Sequence, residues 1–243
     1  MHSASIVSGL LASTCLVVLG GAPDRPSATA RRVVAAQVSR KKLLFADNFK
    51  RLDTLTWRLE IEPQPASRVY VRHGKLVLDT QGGATVWLKQ PLRGNLQIEY
   101  TRKVLVASHP NDRFSDLNQF WMASEHTGAA LAQRSGKFEA YDNLRLYYVG
   151  MGGNTNTTTR FRKYQSNGVR TLLQEYTDAA HLLVPNKEYH IKTTVQNGTT
   201  SFWVDGQCYF TYQDPNLLPA GYFGFRSTNP RQEISHLKVY QLE

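Results

Sequence analysis

Apolar and polar residues alternate with a period of two along most of the chain, and no stretch of useful length keeps the helical period. The alternation predicts strands over Leu43–Phe49, Trp57–Ile61, Ala84–Leu88, Leu96–Val106, Leu117–Ala123, Asn143–Val149 and Thr157–Tyr164. A second series follows at Tyr189–Gln196, Thr200–Val204, Gln207–Tyr212, Gly221–Arg226 and Ile234–Leu242. Val69–Asp79 reads as a hairpin about His73-Gly74. Turn signals separate the runs: Gly82-Gly83, Arg93-Gly94-Asn95, Asn197-Gly198 and Asp205-Gly206. Asn-Gly and Asp-Gly supply the positive φ values that tight hairpins need. Residues 107–116 and 126–133 read as loops, Gly150–Asn156 as a Gly/Asn turn, and 165–187 as a long irregular segment. About a dozen short strands without helices imply an all-β fold, a two-sheet antiparallel β-sandwich.

The N-terminus breaks this pattern. Ile6–Leu19 is apolar but too short to span a bilayer, and Ala28-Thr29-Ala30 fits a small-x-small cleavage site. Residues 1–30 are therefore expected to be a secretory signal peptide, 31–42 a basic flexible leader and 43–243 the folded domain. Cys15, within the apolar run, resembles a lipid-acylation position, with Thr14 a poor match before it. No later segment is apolar enough to cross a membrane. The expected location is secreted or periplasmic, in a bacterial cell envelope.

Charge narrows the partners. The chain holds 29 Lys and Arg against 19 Asp and Glu, a formal net charge of +10. An exported basic protein meets anionic polymers or surfaces. After signal cleavage only Cys208 remains, which excludes an intramolecular disulfide and a cysteine zinc site. The seven histidines are scattered without ligand spacing. Gly150–Asn154 is followed by no helix and no Lys-Ser/Thr, so it is not a phosphate loop. Asp112 and Asp116 in the loop Asn111–Asp116 could bind calcium through carboxylates and carbonyls; no other cofactor is expected. The domain is expected to be monomeric.

The candidate chemistry lies in Arg134–Tyr164, which carries six basic side chains against two acids, with tyrosines between them. Rings that stack on a sugar's C–H face beside cations and amides that bond its polar groups suit a saccharide. In Asn143–Val149, Arg145 and Tyr147 share a face opposite Leu144, Leu146 and Tyr148. Assigning the leucines to the core turns Arg145 and Tyr147 into a groove. Arg160 and Arg162 share one face of the next run and would line the same concave surface. For a uronate, Arg145 and Asn118 are the candidate neutralisers of the carboxylate and Tyr147 the candidate base. Trp121, Lys137, Tyr141, Asn154, Arg160 and Arg162 complete the candidate substrate-binding set. The competing reading pairs these arginines with Asp112, Asp116 and Asp142 as structural salt bridges. Trp87 and Trp203 read as core.

Three segments together resemble the concanavalin-A-like (laminin-G-like) jelly roll of lectins and glucanases: FADNF with the following Trp57, YHIKTTVQNGTTSFWVDGQCYF, and GYFGFRSTNPRQEISHLKVYQL. They span Leu43 to the C-terminus. NDRFSDLNQFWM and RSGKF with LRLYYVGMGGNTNTTTRFRKY are similar to a domain-of-unknown-function family of secreted bacterial jelly rolls found among polysaccharide-degradation proteins. The resemblance implies a secreted carbohydrate-active protein that binds and cleaves a polysaccharide or oligosaccharide, as a lyase or a glycoside-cleaving enzyme. The alternatives are a non-catalytic carbohydrate-binding module or a glycan-uptake accessory protein. Glu139-Ala-Tyr-Asp142 departs from the Glu-x-Asp-x-x-Glu strand of retaining glucanases of this fold, which sets two carboxylates on one face. Arg145-Leu-Tyr147-Tyr-Val-Gly150 resembles the chemistry, though not the letters, of jelly-roll alginate-type lyases. Nucleic acid is not an expected partner.

Overall fold

The computed structural model describes residues 40–243; the expected signal peptide and all but the last residues of the expected basic leader lie outside them. Among these residues the chain forms β1 (Lys41–Asp47), β2 (Trp57–Ile61), β3 (Arg68–Arg72), β4 (Lys75–Asp79), β5 (Gly83–Leu88) and β6 (Leu92–Arg93). Then come β7 (Leu96–Val104), β8 (Leu117–Ser124), β9 (Arg145–Gly152), β10 (Thr158–Gln165) and β11 (Arg170–Tyr176). The last are β12 (Glu188–Gln196), β13 (Thr199–Val204), β14 (Gln207–Gln213), β15 (Ala220–Thr228) and β16 (Arg231–Leu242).

The strands make two antiparallel sheets. One runs β14-β13-β12-β7-β16-β4-β3, with β1 also on β16; the other runs β11-β10-β9-β8-β15-β5-β2, with β6 on β15. The expected sandwich is thus the observed one. The Asn197-Gly198 and Asp205-Gly206 turns join β12–β13–β14, with φ of 50° and 81° in the first and 50° and 84° in the second. Cys208 is a free thiol. Two of the departures from the expected bounds lie in the leader and in the segment read as irregular. Lys41 and Lys42, assigned to the leader, already pair with β16. Arg170–Tyr176, within the segment read as irregular, is the edge strand β11; its residues are exposed or half-buried, so no apolar alternation marks it.

The main core fills the space between the sheets with Trp57, Trp121, Tyr147, Phe161, Phe202, Phe223 and Phe225, among others. Burial of such side chains contributes on the order of 25 cal/mol per Å² of apolar surface. Arg102, fully buried between the sheets, ties them through neutral acceptors: its Nε donates to the Gln232 Oε1, Nη1 to the Asn118 carbonyl and Nη2 to the Arg226 carbonyl at 2.7 Å.

A second apolar cluster lies on the opposite face of the second sheet. Trp87, Phe120, Leu144, Leu146, Tyr148 and Tyr164 are covered there by Leu131, Phe138 and Tyr141 from the segment before β9. Polar anchors hold that segment down. Glu60 accepts from Trp87 Nε1 at 2.8 Å, Tyr141 Oη at 2.9 Å and the Arg134 amide at 3.0 Å. Arg226 Nη1 donates to the Gly136 carbonyl. Gly136 has φ +86°, and a Cβ there would stand 2.5 Å from the Glu62 nitrogen, so only glycine lets the segment lie against β2.

Candidate functional site

The covering segment leaves part of the outer face of the second sheet open, over β8, β9 and β10. Strand register decides what is displayed there. Asn118 pairs with Gly150, which pairs with Arg160; Phe120 pairs with Tyr148, which pairs with Arg162. Side chains opposite one another across paired strands share a face. These rows floor a cleft of about 400 Å³, rimmed by Arg113, Asp116, Phe138, Asn154 and Arg170. That volume lies within the range of small-ligand pockets, roughly 300–1,000 Å³. Gly150 keeps the floor low: a Cβ there would meet Tyr148 Oη at 2.3 Å and Asn118 Oδ1 at 3.0 Å. Gly150→Ala is therefore expected to displace the Tyr148 ring, lower stability by roughly 1–3 kcal/mol and weaken ligand binding, measured by urea denaturation and calorimetry on one preparation.

The charges in the cleft are unevenly matched. Arg160 Nε lies 2.6 Å from Glu175, Arg170 is paired with Asp142 at 2.6 Å, and Arg113 reaches Asp116 at 3.3 Å. Arg162 donates Nη1 to the Arg170 carbonyl at 2.8 Å and, among the described residues, has no carboxylate partner. Beneath the covering segment, Arg226 is fully buried and donates to neutral acceptors, Thr85, Thr228 and the Gly136 carbonyl. Its burial lowers its pKa, against the pull of Tyr141 and Tyr148. Burial also raises the Asp116 carboxyl above the usual range, opposed by the Ser115 hydroxyl and Arg113. Tyr148 is raised well above an ordinary phenol, first by burial and then by Tyr164 and Asp116. It stays protonated at neutral pH. Asn118 Oδ1 and Tyr164 Oη are buried without a hydrogen-bond partner among the described residues, a state that costs about 1–3 kcal/mol per group unless a ligand or water satisfies it. The cleft thus offers a guanidinium with no carboxylate partner among the described residues, a phenolic hydroxyl and an amide acceptor within one depression.

The structure gathers Asn118, Asn154, Arg160 and Arg162 in this cleft. It removes the other candidates. Tyr147 and Trp121 lie between the sheets, both 0% exposed. Tyr147 Oη donates to Asp214, accepts from the Leu218 amide at 3.3 Å, and its ring lies 5.6 Å from Trp121. Tyr141 is buried under its own segment, on Glu60. Lys137 sits exposed on that segment and does not line the cleft. Arg145 is exposed at the far end of β9, its Nη2 3.2 Å from His126, beside a separate cleft of about 410 Å³ formed with Asn216–Pro219.

The physical reason is that β9 is buried on both faces after Arg145. Leu144 and Leu146 are apolar because the covering segment packs on them, so they do not mark the side toward the other sheet. Every face assignment on β9 inverts, and Tyr148 replaces Tyr147 at the cleft. Tyr147→Phe is accordingly expected to cost roughly 1–3 kcal/mol of stability through the Asp214 bond while leaving saccharide handling intact, checked by denaturant unfolding and by binding. The salt-bridge alternative fails for the arginines it named: Asp142 pairs with Arg170, Asp116 with Arg113 and Asp112 with Arg231 at 2.8 Å, while Arg160 pairs with Glu175. Asp112 and Asp116 are each engaged by an arginine, and no group of three His, Cys, Asp or Glu side chains that could hold a metal occurs among the described residues. Arg170 and Arg226 were missed: the first lies in the edge strand that carries no alternation, and the second reads as an ordinary strand residue beside Phe225.

Fold and cleft together define a galectin-like, concanavalin-A-like jelly roll with a polar, arginine-rich depression on one sheet. A family model described as "Domain of unknown function (DUF6250)" matches residues 78–237, most of the chain, and the protein belongs to that family. No curated protein matches its sequence. Among solved structures it is similar to a Bacillus subtilis protein of unknown function with a galectin-like fold, at 15% identity and a TM-score of 0.68, over 84% of this chain and 98% of that one. It is also similar to the carbohydrate-binding module CBM66 from Bacillus subtilis, at 12% identity and a TM-score of 0.54, over 76% and 96%. An endo-β-1,3-glucanase from Pyrococcus furiosus matches at 11% identity and a TM-score of 0.57, over 84% and 96%. At these identities the likeness is one of fold.

Proposed function

We propose that this is a carbohydrate-active protein that binds an acidic saccharide in the outer-face cleft of the second sheet. The observation that carries the reading is Arg162, without a carboxylate of its own, beside the unpartnered Asn118 Oδ1 and the protonated Tyr148 hydroxyl. A guanidinium meets a carboxylate with two parallel hydrogen bonds, and amide and phenol groups meet sugar hydroxyls. The names of the carbohydrate-binding module and the glucanase among proteins of the same fold support a saccharide ligand. Calorimetric screening of neutral and uronate-containing polysaccharides tests it. Binding of an acidic glycan by wild type and its loss in Arg162→Ala is the expected result; no glycan bound, or equal binding by both, rejects the reading.

A second reading, cleavage by elimination, is favoured by Tyr148 standing over Gly150 between Asn118 and Arg162. Neutralising a uronate carboxylate makes the adjacent C–H acidic; the Asp116 carboxylate lining the same cleft would take that proton, the bond to the leaving oxygen would break as the ring double bond forms, and Tyr148 would give its proton to the departing oxygen. Hydrolysis by a carboxylate pair has less support, because Asp142 and Glu175 are each held by an arginine. Ultraviolet absorbance of the unsaturated product and new reducing ends decide between enzyme and binding module: neither signal with a bound glycan leaves binding alone. Export is inferred from Ile6–Leu19 and Ala28-Thr29-Ala30. Material recovered outside the cytoplasm should begin near Arg31, and a start at Met1 contradicts export. Among the described residues no helix is long and apolar enough to cross a membrane.

A further inference from the structure

We infer that the cleft receives the end of a saccharide chain and not an internal stretch of it, because three of its four sides are closed. This rests on the cleft being the saccharide site. The first closed side is the covering segment, whose Phe138 forms one wall. At one end along the strands, Arg170 reaches back from the edge strand β11, across β10, to that same segment. Its guanidinium lies 4.2 Å from the centroid of the Phe138 ring and bonds both oxygens of Asp142, at 2.6 and 2.9 Å. A cation on an aromatic face that is also forked onto a carboxylate is a fixed bar rather than a mobile side chain.

The opposite end carries a second bar. Arg113, from the loop before β8, approaches the carbonyl of Thr228 at the end of β15, Asp116 below it, and Thr155 Oγ1 in the β9–β10 turn at 3.5 Å. That turn is itself fixed, with Asn154, Thr155 and Asn156 all at positive φ and Asn156 bonded both ways to Leu183 at 3.0 and 2.8 Å. The remaining side opens over the edge strand, past the Arg160–Glu175 pair. A polymer that ran through the cleft would have to cross one of the two arginine bars or the Phe138 wall. A chain end entering over β11 meets none of them, and its terminal sugar reaches Arg162, Asn118 and Tyr148.

Competition binding tests this with the acidic polysaccharide that binds most tightly in the screen above. The intact polymer and its own partial hydrolysate are compared at equal mass, so that they differ in the number of chain ends and not in composition. End recognition predicts that the hydrolysate competes more strongly, by the factor by which chain ends have increased. Arg170→Ala, which removes one bar, is expected to narrow that difference. Equal competition by mass, or affinity that keeps rising as each sugar is added to a purified oligosaccharide series, overturns the inference while leaving the saccharide site standing. If Arg162→Ala binds the polymer as well as wild type does, the saccharide lies elsewhere, and the site and the inference fall together.

Discussion

Trp121→Ala is expected to lower stability by roughly 3–5 kcal/mol, the usual cost of deleting a large aromatic from a packed core. Trp121 is fully buried, stacks on Phe161 at 5.7 Å between ring centroids and donates its indole N–H to Thr200 at 3.0 Å. Alanine leaves a cavity between the sheets and strips the Thr200 hydroxyl of a donor. Denaturant unfolding should show the midpoint falling, while the fraction still folded binds saccharide as before. A tryptophan serving as a sugar platform behaves in the opposite way, with binding lost and stability kept. That outcome would mean that the two faces of β8 have been assigned the wrong way round.

Arg162→Ala carries the largest expected functional effect. A hydrogen bond to a charged group contributes about 1.5–3 kcal/mol, and each 1.4 kcal/mol is tenfold in affinity, so binding of an acidic glycan should weaken by roughly 10- to 100-fold. Stability should change little, because among the described residues Arg162 holds no ion pair and makes one hydrogen bond, to the Arg170 carbonyl. Arg162→Lys should recover only part of the affinity, since an ammonium lacks the planar fork. Arg145→Ala is the informative comparator. Its side chain faces His126 outside the cleft, so its affinity should match wild type. Equal losses at Arg145 and Arg162 would point to a diffuse attraction of the basic surface for polyanions instead of a built site.

The two substitutions mark what was legible in the sequence. Period-two alternation and the Asn-Gly and Asp-Gly turns were enough for the sandwich, because each hairpin depends on local chemistry. That Asn118, Asn154, Arg160 and Arg162 come together was also legible, from the shared strand face of Arg160 and Arg162 and the Gly/Asn turn that carries Asn154. The face of β9 was not. Alternation tells which residues share a face but not which face is the interior, and the argument that leucines mark the core fails where a second layer covers the outer face. That layer, residues 131–141, is held by Glu60 and Arg226, contacts distant in sequence. Edge strand β11 was hidden for a related reason: a strand paired along one side and half exposed need not alternate. With it went Arg170, the residue that closes one end of the cleft.

The most direct test of the saccharide site is a crystal structure of the protein with a uronate-containing oligosaccharide that it binds in solution. The predicted result places the sugar carboxylate against the Arg162 guanidinium, with a sugar hydroxyl donating to Asn118 Oδ1 and Tyr148 Oη bonded to the same ring. A saccharide seated instead between Arg145 and Asn216–Pro219, or on the outer face of the other sheet, with the Arg162 cleft holding only water, would contradict it.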